Sequence, residues 1–249
     1  MRRLLVGLAL ALAFTAAPCF AFDDVFQQTY ALPAGGSFQL QNVNGSVEVR
    51  GWDRNEVEVR AVKSSRHNPQ DLGRVSIEVD ARPGSVSIET RYPQDKGVEV
   101  YVEYRIRVPR RVRLDHVTTV NGALRVFGVD ATGDLHTVNG NIEVLESSGR
   151  LSARTTNGNV RVEMRQIEAG GAMSLETVNG SIVLGLDTRA AADLDVRSVN
   201  GDFRSELPIA LQGSFDARQF HGRLGAGGGA VHIRTVNGAI RLVTLRPTV

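Results

Sequence analysis

Residues 135–144 read LHTVNGNIEV, and this stretch decides the fold. Apolar side chains alternate with polar ones on both sides of Asn139 and Gly140, which is the period of a β-strand. Asn tolerates a positive φ and Gly adopts one without steric cost, so the pair is typical of a tight turn. The stretch therefore predicts a short strand, a turn and a second short strand.

The same unit recurs along the chain. From Asn121 onward the copies are mostly 18 to 22 residues apart, and one copy is degenerate at His221 and Gly222. Most copies have Thr or Ser two residues before the Asn, Val immediately before it and an apolar residue three after it. The predicted structural turns are Asn44, Gly45, Asn121, Gly122, Asn139, Gly140, Asn157, Gly158, Asn179, Gly180, Asn200, Gly201, Asn237 and Gly238.

Two architectures fit this repeat. Asn-Gly between alternating strands is a strong hairpin signal, and a hairpin would pair Thr137 with Ile142. In a β-solenoid each repeat is one coil, and its strands pair in parallel with those of the next coil. The regular period favours the solenoid, in which the Val before each Asn can turn inward and the Asn and Thr columns stack as hydrogen-bonded ladders.

The predicted fold class is all-β, a parallel β-helix or β-solenoid of 18–22 residue coils with an antiparallel, sheet-rich N-terminal unit. Residues 98–108 alternate between apolar and polar side chains, which suggests a sheet with one wet face. The predicted domains are a signal peptide at residues 1–21, the sheet-rich unit with the first Asn-Gly repeat at 22–112, and the solenoid repeats at 113–249. The N-terminal unit would cover the unpaired strand edge of the first coil.

The N-terminus is typical of a secretory signal. Arg2 and Arg3 precede an apolar run at residues 4–17, and small residues at Cys19 and Ala21 suit cleavage after Ala21. The run is too short to span a bilayer comfortably, which disfavours an uncleaved anchor. Lipidation of Cys19 is disfavoured because Pro18 stands before it. Cleavage would leave a mature chain without cysteine, and hence without disulfides.

Charge gives no indication of a nucleic-acid partner. The full chain carries 29 Lys and Arg against 27 Asp and Glu, and the signal holds two of the arginines and none of the acids, so the mature chain is balanced. No later apolar segment is long enough to cross a membrane. The expected partner is an envelope protein or a glycan, with no nucleic acid.

Candidate chemical groups are scattered. Asp115, Asp130, Asp134 and Arg125 could gather on one face, as in β-helix enzymes that cut acidic polysaccharides, but no spacing fixes two carboxylates opposite each other. Residues 225–229 lack the Lys and Ser or Thr of a phosphate loop. The sequence predicts no catalytic residues, no cofactor and no metal site. The histidines, none in a ligand motif, are His67, His116, His136, His221 and His232.

Two features have both a structural and a binding interpretation. The Asn column could bind a ligand, but a turn requirement with an internal amide ladder explains it more simply. Trp52, the sole tryptophan, could stack on a carbohydrate, although a packing role is favoured because aromatic side chains gain much from burial.

Residues 38–53 (FQLQNVNGSVEVRGWD), residues 104–112 (YRIRVPRRV) and the recurring T-V-N-G-x-I-x-V resemble the bacterial putative-adhesin family of β-strand repeat proteins, long described as a domain of unknown function. The resemblance covers most of the mature chain. It implies a β-helix-like fold and an exported, envelope-associated role, and it implies no catalytic residues.

These observations predict a non-enzymatic exported protein of the bacterial envelope, in the periplasm or at the cell surface. Its role would be that of an adhesin-like scaffold for protein or glycan interaction. The alternatives are a polysaccharide-active β-helix enzyme and an accessory protein of an envelope stress or signalling system.

Overall fold

The computed structural model describes residues 22–94, 97–167, 170–216 and 218–245. The predicted signal peptide, Cys19 included, lies outside the described residues. Within these ranges the fold is all-β, with 20 strands in one sheet that is nearly closed on itself and a short 3₁₀ helix, Pro69–Arg74. The expected all-β class is therefore confirmed.

The strands follow one another with short connections. The first nine are β1 (Phe22–Ala31), β2 (Ser37–Gln41), β3 (Val47–Trp52), β4 (Glu56–Ser65), β5 (Ser76–Arg82), β6 (Ser85–Arg91), β7 (Val100–Pro109), β8 (Arg111–Asn121) and β9 (Leu124–Phe127). The others are β10 (Asp130–Asn139), β11 (Ile142–Asn157), β12 (Val160–Ile167), β13 (Ala172–Asn179), β14 (Ile182–Leu186), β15 (Ala192–Asn200), β16 (Phe203–Ser205), β17 (Ile209–Asp216), β18 (Gln219–Leu224), β19 (Gly229–Asn237) and β20 (Ile240–Thr244).

Equivalent strands of different repeats pair in parallel. We call one repeat, with its strand before the Asn-Gly pair and its strand after it, a coil. Thr137 is in register with Thr119 and Thr155, which hold the same place in two other coils. Ile142 is in register with Leu124 and Val160. The hairpin alternative is therefore wrong, because the backbone groups on both sides of the turn are paired between coils.

The strands of the sheet form two groups, one on each side of the turns, which we call face A and face B. Face A contains the strands that precede the turns, in the spatial order β5, β6, β2, β8, β10, the second half of β11, β13, β19, β15, β18 and β17. Face B contains the strands that follow them, in the order β1, β4, β7, β3, β9, the first half of β11, β12, β14, β20 and β16. Antiparallel pairs are confined to the ends, at β5–β6, β1–β4, β4–β7, β15–β18 and β17–β18.

The spatial order of the strands departs from the chain order at both ends. The β2/β3 coil lies between the β8/β9 coil and the strands β6 and β7, which have no Asn-Gly pair between them. The β19/β20 coil lies between the β13/β14 and β15/β16 coils. The expectation that each coil pairs with the next one in sequence therefore holds from the β2/β3 coil to the β13/β14 coil and is wrong at the C-terminal end. There, a returning segment occupies strand edges that would otherwise be open.

The core consists of stacked columns of apolar side chains from both faces. The fourth residue before each Asn is buried in Leu40, Val117, Leu135, Ala153, Leu175, Ile233 and Val196. The third residue after it is buried in Val47, Leu124, Ile142, Val160, Ile182 and Ile240. Full burial of one such Val, Leu or Ile side chain stabilises the fold by roughly 1.5–3 kcal/mol. The period-two pattern of the sequence is thus what joins the two faces over one core.

The predicted alternation in the N-terminal part is present in β7. Val100, Val102, Ile106 and Val108 are buried, and the residues between Val100 and Ile106 are alternately exposed. This strand pairs antiparallel with β4 and parallel with β3, so it joins the antiparallel end to the parallel stack. The division of the chain at residue 112 stays a prediction, since β8 begins at Arg111 and continues that stack.

The non-sequential order can be tested with engineered disulfides. Val183 and Arg241 are in register on neighbouring strands, which in a sheet lie about 4.8 Å apart, within the Cα separation that a disulfide tolerates. We expect V183C/R241C, produced from residue 22 onward, to form an intramolecular disulfide on mild oxidation, measured by non-reducing mass spectrometry. V183C/R204C should stay reduced, because β20 separates those residues. Oxidation of the second pair instead would contradict the spatial order.

Candidate functional site

The asparagines of the turns form one hydrogen-bonded ladder. In each step an Asn Nδ2 donates to the Oδ1 of the Asn in the neighbouring coil, over 2.8 to 2.9 Å. In spatial order the ladder is Asn44, Asn121, Asn139, Asn157, Asn179, Asn237 and Asn200. Each internal amide therefore spends one donor and one acceptor on its neighbours, which makes the column chiefly structural.

The glycines of the turns lie at the closest approach between coils. A Cβ on Gly140 would be 1.9 Å from the carbonyl oxygen of Gly122, and one on Gly158 would be 2.0 Å from that of Gly140. A positive φ occurs at Gly45 (φ 123°) but not at Gly140. The expectation of a positive φ at Gly140 is therefore wrong. Glycine is needed there because the backbone of the next coil occupies the space of a side chain.

The hydroxyl column hydrogen-bonds to this glycine backbone. The buried Thr119, Thr137, Thr155, Thr177 and Thr235 each donate from Oγ1 to the glycine carbonyl of a neighbouring coil, over 2.8 to 3.0 Å. The predicted Thr ladder thus exists in another form, since each hydroxyl bonds to backbone and not to the next hydroxyl. The half-buried turn carbonyls thereby have a hydrogen-bond partner.

The Val before the Asn is not buried, since Val43, Val138 and Val236 are half-buried and the other three are exposed. Val120, Val178 and Val199 are 39%, 41% and 53% exposed. The expectation that this side chain turns inward is wrong. The buried hydroxyl residue stands immediately before this Val. Successive side chains of a strand point to opposite sides, so the Val lies on the solvent side.

The carboxylates considered for catalysis are not assembled. Asp115 and Asp134 lie on face A, where Asp115 accepts a hydrogen bond from Ser37 and Asp134 Oδ2 is 3.5 Å from His116 Nδ1. Arg125 lies on face B, with its Nε 3.9 Å from a Glu143 oxygen. Asp130 is exposed at the start of β10. These acids therefore have separate local contacts.

The structure contains one histidine cluster that the sequence did not predict. Asp195 lies between His221 and His232, with Nδ1–Oδ distances of 3.6 and 3.5 Å. The strands β18 and β19 pair with β15 on its two sides and bring these distant residues together. The spacing of the three residues in the sequence does not predict this cluster. The other three histidines are separate from this cluster, with His67 beside Glu99 in a loop and with His116 and His136 on face A. In the described part of the chain, no three His, Cys, Asp or Glu side chains are grouped so that they could hold a metal ion.

The glycine-rich loop is held by a carboxylate. Asp193 accepts from Arg223 Nε over 2.9 Å and from the Gly228 backbone over 3.2 Å, and these bonds lower the pKa of Asp193. A cavity of about 400 Å³ lies beside this loop. Its arginines are already paired, Arg165 with Glu146 and Arg189 with Asp187, each at 3.0 Å. The loop therefore has neither free backbone donors at Gly228 nor unpaired arginines for a phosphate.

Trp52 has both a packing and a surface character. Its ring is half-buried, and its Nε1 donates to the Glu56 carbonyl over 2.8 Å. The guanidinium carbons of Arg54 and Arg107 lie 4.9 and 5.7 Å from the ring centroid. The indole is thus fixed in place, and cations line its open face.

The comparisons with known proteins agree with this architecture. The model of the family described as Toastrack DUF4097 matches residues 36–243. None of the curated proteins matches the chain. Among residues 22–94, 97–167, 170–216 and 218–245, there is no helix with the length and apolar character that crossing a membrane would require.

Several solved structures are similar to this chain. A "putative cell adhesion protein" from Clostridium sporogenes ATCC 15579 is 11% identical, with 89% of this chain and 100% of that chain covered and a TM-score of 0.50. A "putative adhesin" from Bacteroides fragilis NCTC 9343 is 12% identical over 88% of this chain and 97% of that chain, with a TM-score of 0.40. A "putative lipid binding protein" from Parabacteroides distasonis ATCC 8503 is 9% identical over 90% and 97%, with a TM-score of 0.23. The first of these shows likeness of fold alone.

The glycine contact predicts a steep cost of a single methyl group. We expect Gly140→Ala to lower the free energy of unfolding by about 3 kcal/mol, because the coils must separate to admit a Cβ 1.9 Å from an oxygen. Gly73→Ala is the control: it has open space, no positive φ, and an expected change within about 0.5 kcal/mol. Urea denaturation measures both. Equal stability of the two variants would refute the close-contact explanation.

The hydroxyl column predicts a smaller cost. Thr137→Val keeps the shape of the side chain but removes the donor to the Gly122 carbonyl, and we expect a loss of about 1–2 kcal/mol. Thr118→Val, on the outward side of β8, serves as the matched substitution and should change stability little. Thermal unfolding followed by circular dichroism distinguishes them. The hydrogen bond would be unimportant if the two melting temperatures coincided.

Proposed function

The chain belongs to the Toastrack DUF4097 family, and from this premise we propose that it is a non-enzymatic, exported scaffold of the bacterial envelope that binds a protein or a glycan. We further propose that its parallel coils constitute a β-solenoid. The single observation that carries the proposal is the division of labour within each repeat. The turn residues form the hydrogen bonds that hold neighbouring coils together, whereas the outward strand residues are solvent-facing and are joined between coils by exposed ion pairs such as Arg154–Glu176.

The outward rows suit recognition of an extended partner. Equivalent side chains on neighbouring strands repeat about every 4.8 Å, so each face presents a regular array. On face B the row in register with Arg125 includes Glu143, Arg161, Val183 and Arg241. Such a surface can vary in sequence without disturbing the turns or the core, as a binding scaffold requires.

Export is supported by the sequence of residues 1–21. A basic start, a short apolar run and small residues before the cleavage position are the properties that secretion machinery reads. The description of the Clostridium sporogenes protein as a "putative cell adhesion protein" is consistent with an envelope or surface location. Periplasm and cell surface both fit these features.

A non-enzymatic role is supported by the placement of the acids. Retaining and inverting glycosidases need two carboxyl groups on either side of one bond. Here Asp115 and Asp134 are engaged with Ser37 and His116 on one face, and Arg125 lies on the other. The residues that the sequence offered for catalysis thus have separate local roles.

The proposal is tested by co-sedimentation of the chain from residue 22 onward with envelopes isolated from the bacterium that encodes it. We expect saturable retention that an excess of unlabelled protein competes away, since a scaffold has a finite number of sites. Protease and periodate treatment of the envelopes would assign the partner to protein or glycan. Absence of saturable retention, together with measurable release of sugars from envelope polysaccharide, would reject the proposal.

A further inference from the structure

Face B has a groove at its N-terminal end that the repeat does not explain. It has a volume of about 420 Å³ and lies over β3, β7 and β4. The residues that line it are Glu48, Arg50, Glu58, Arg60, Arg105, Ile106 and Arg107. Four arginines and two glutamates give this groove an excess of positive charge in a chain whose predicted mature form is balanced.

Two of these arginines face each other directly. Arg60 on β4 is in register with Arg105 on β7 in an antiparallel pair. Like charges at directly opposite positions of a sheet are destabilising, so stability of the fold does not account for this pair. The pair calls for a negative group between or above the two guanidinium ions.

The glutamates of the groove do not supply that group. Glu48 is 2.6 Å from Arg50 Nε, and Glu58 is 3.3 Å from Arg107 Nη1. Within the part of the chain that the structure describes, neither Arg60 nor Arg105 has an ion pair or a side-chain hydrogen bond with any residue. Each glutamate thus forms its ion pair with another arginine, and Glu48, although it is in register with Arg105 on the neighbouring strand, is bonded to Arg50.

Aromatic rings flank the same groove. Arg50, whose guanidinium lies 4.5 Å from the Phe127 ring centroid, and Arg107, which lies 5.7 Å from that of Trp52, connect the charged groove to these rings. Trp52 follows Arg50 by two residues on β3 and so projects to the same side. Apolar ring faces beside charged groups suit a ligand with both an acidic group and apolar patches, as a sugar acid has.

We propose that this groove binds an acidic oligosaccharide, with a uronate carboxylate held between Arg60 and Arg105. A guanidinium presents two parallel N–H donors that match a carboxylate, which explains the use of arginine here. Glu48 and Glu58 on either side would repel the closely spaced phosphates of a nucleic acid or polyphosphate. A glycan in which single carboxylates alternate with neutral sugars fits this charge pattern better. The inference deepens the proposed function and rests on it.

The experiment compares binding of a hyaluronan tetrasaccharide, in which uronate and neutral sugars alternate, with binding of neutral chitotetraose. Isothermal titration would be done on the chain from residue 22 onward, on R60Q/R105Q and on R241Q. Arg241 is the control because it lies in the same outward row of face B, far from the groove, and also has no ion pair among the described residues.

We expect the wild-type chain to bind the tetrasaccharide and R60Q/R105Q to bind it at least about tenfold more weakly, the usual effect of losing charge-assisted hydrogen bonds. R241Q should stay within about twofold of wild type because its charge is remote. Chitotetraose should bind the wild-type chain no more tightly than it binds R60Q/R105Q. The double variant should melt at the wild-type temperature or above it, because a repulsion has been removed.

Three results would overturn the inference. These are no binding of the tetrasaccharide by the wild-type chain, an equal loss in R241Q and R60Q/R105Q, and tighter binding of inorganic polyphosphate than of the tetrasaccharide. Envelope retention separates this inference from the proposed function. If R60Q/R105Q is retained as well as the wild-type chain, the proposed role of the groove is rejected and the proposed scaffold function stands. If the wild-type chain is not retained, the scaffold function itself is rejected.

Discussion

The structure depends on the close approach of neighbouring coils at the glycine column. At this column the carbonyl oxygen of Gly122 occupies the place where Gly140 would carry a side chain, and Thr137 donates to that same oxygen. The spacing of the turns is thereby fixed from both sides, by a steric limit and by a hydrogen bond. The Asn ladder and the apolar columns can remain in register because this spacing is the same in each coil.

Much of this arrangement follows from the sequence. A period of two within each strand placed the apolar residues on one side, and a period near 20 between copies required that like strands lie next to like strands. Parallel pairing of Thr137 with Thr155, and the stacking of Asn139 on Asn157, are consequences of those two periods. The sequence identified the turn glycines by their tolerance of a positive φ, whereas the structure requires them because the backbone of the neighbouring coil lies so close. Propensity describes a residue's own φ and not the neighbour against which it packs.

The rest could not be obtained from pattern alone. Because the coils are alike, their sequences do not specify which coil lies beside which, and the exchanged order at the C-terminal end is set by tertiary packing. The cluster around Asp195 requires the antiparallel β15–β18 pair together with the parallel β15–β19 pair, and the opposed Arg60 and Arg105 arise from the antiparallel β4–β7 pair. The repeated positions are those of the turns and the core, so the repeat predicts the scaffold. It does not predict which outward side chains lie next to each other on the surface.

The position of the last coil also has a consequence for the timing of assembly. During synthesis from the N-terminus, β13 and β14 are complete before β19 and β20 exist, and the similar β15/β16 coil is the first available partner. Native order requires that this neighbour be kept apart until the chain has returned. A chain kept extended until its C-terminus is released would avoid that kinetic trap, so the exchanged order favours folding after synthesis is complete over folding during synthesis.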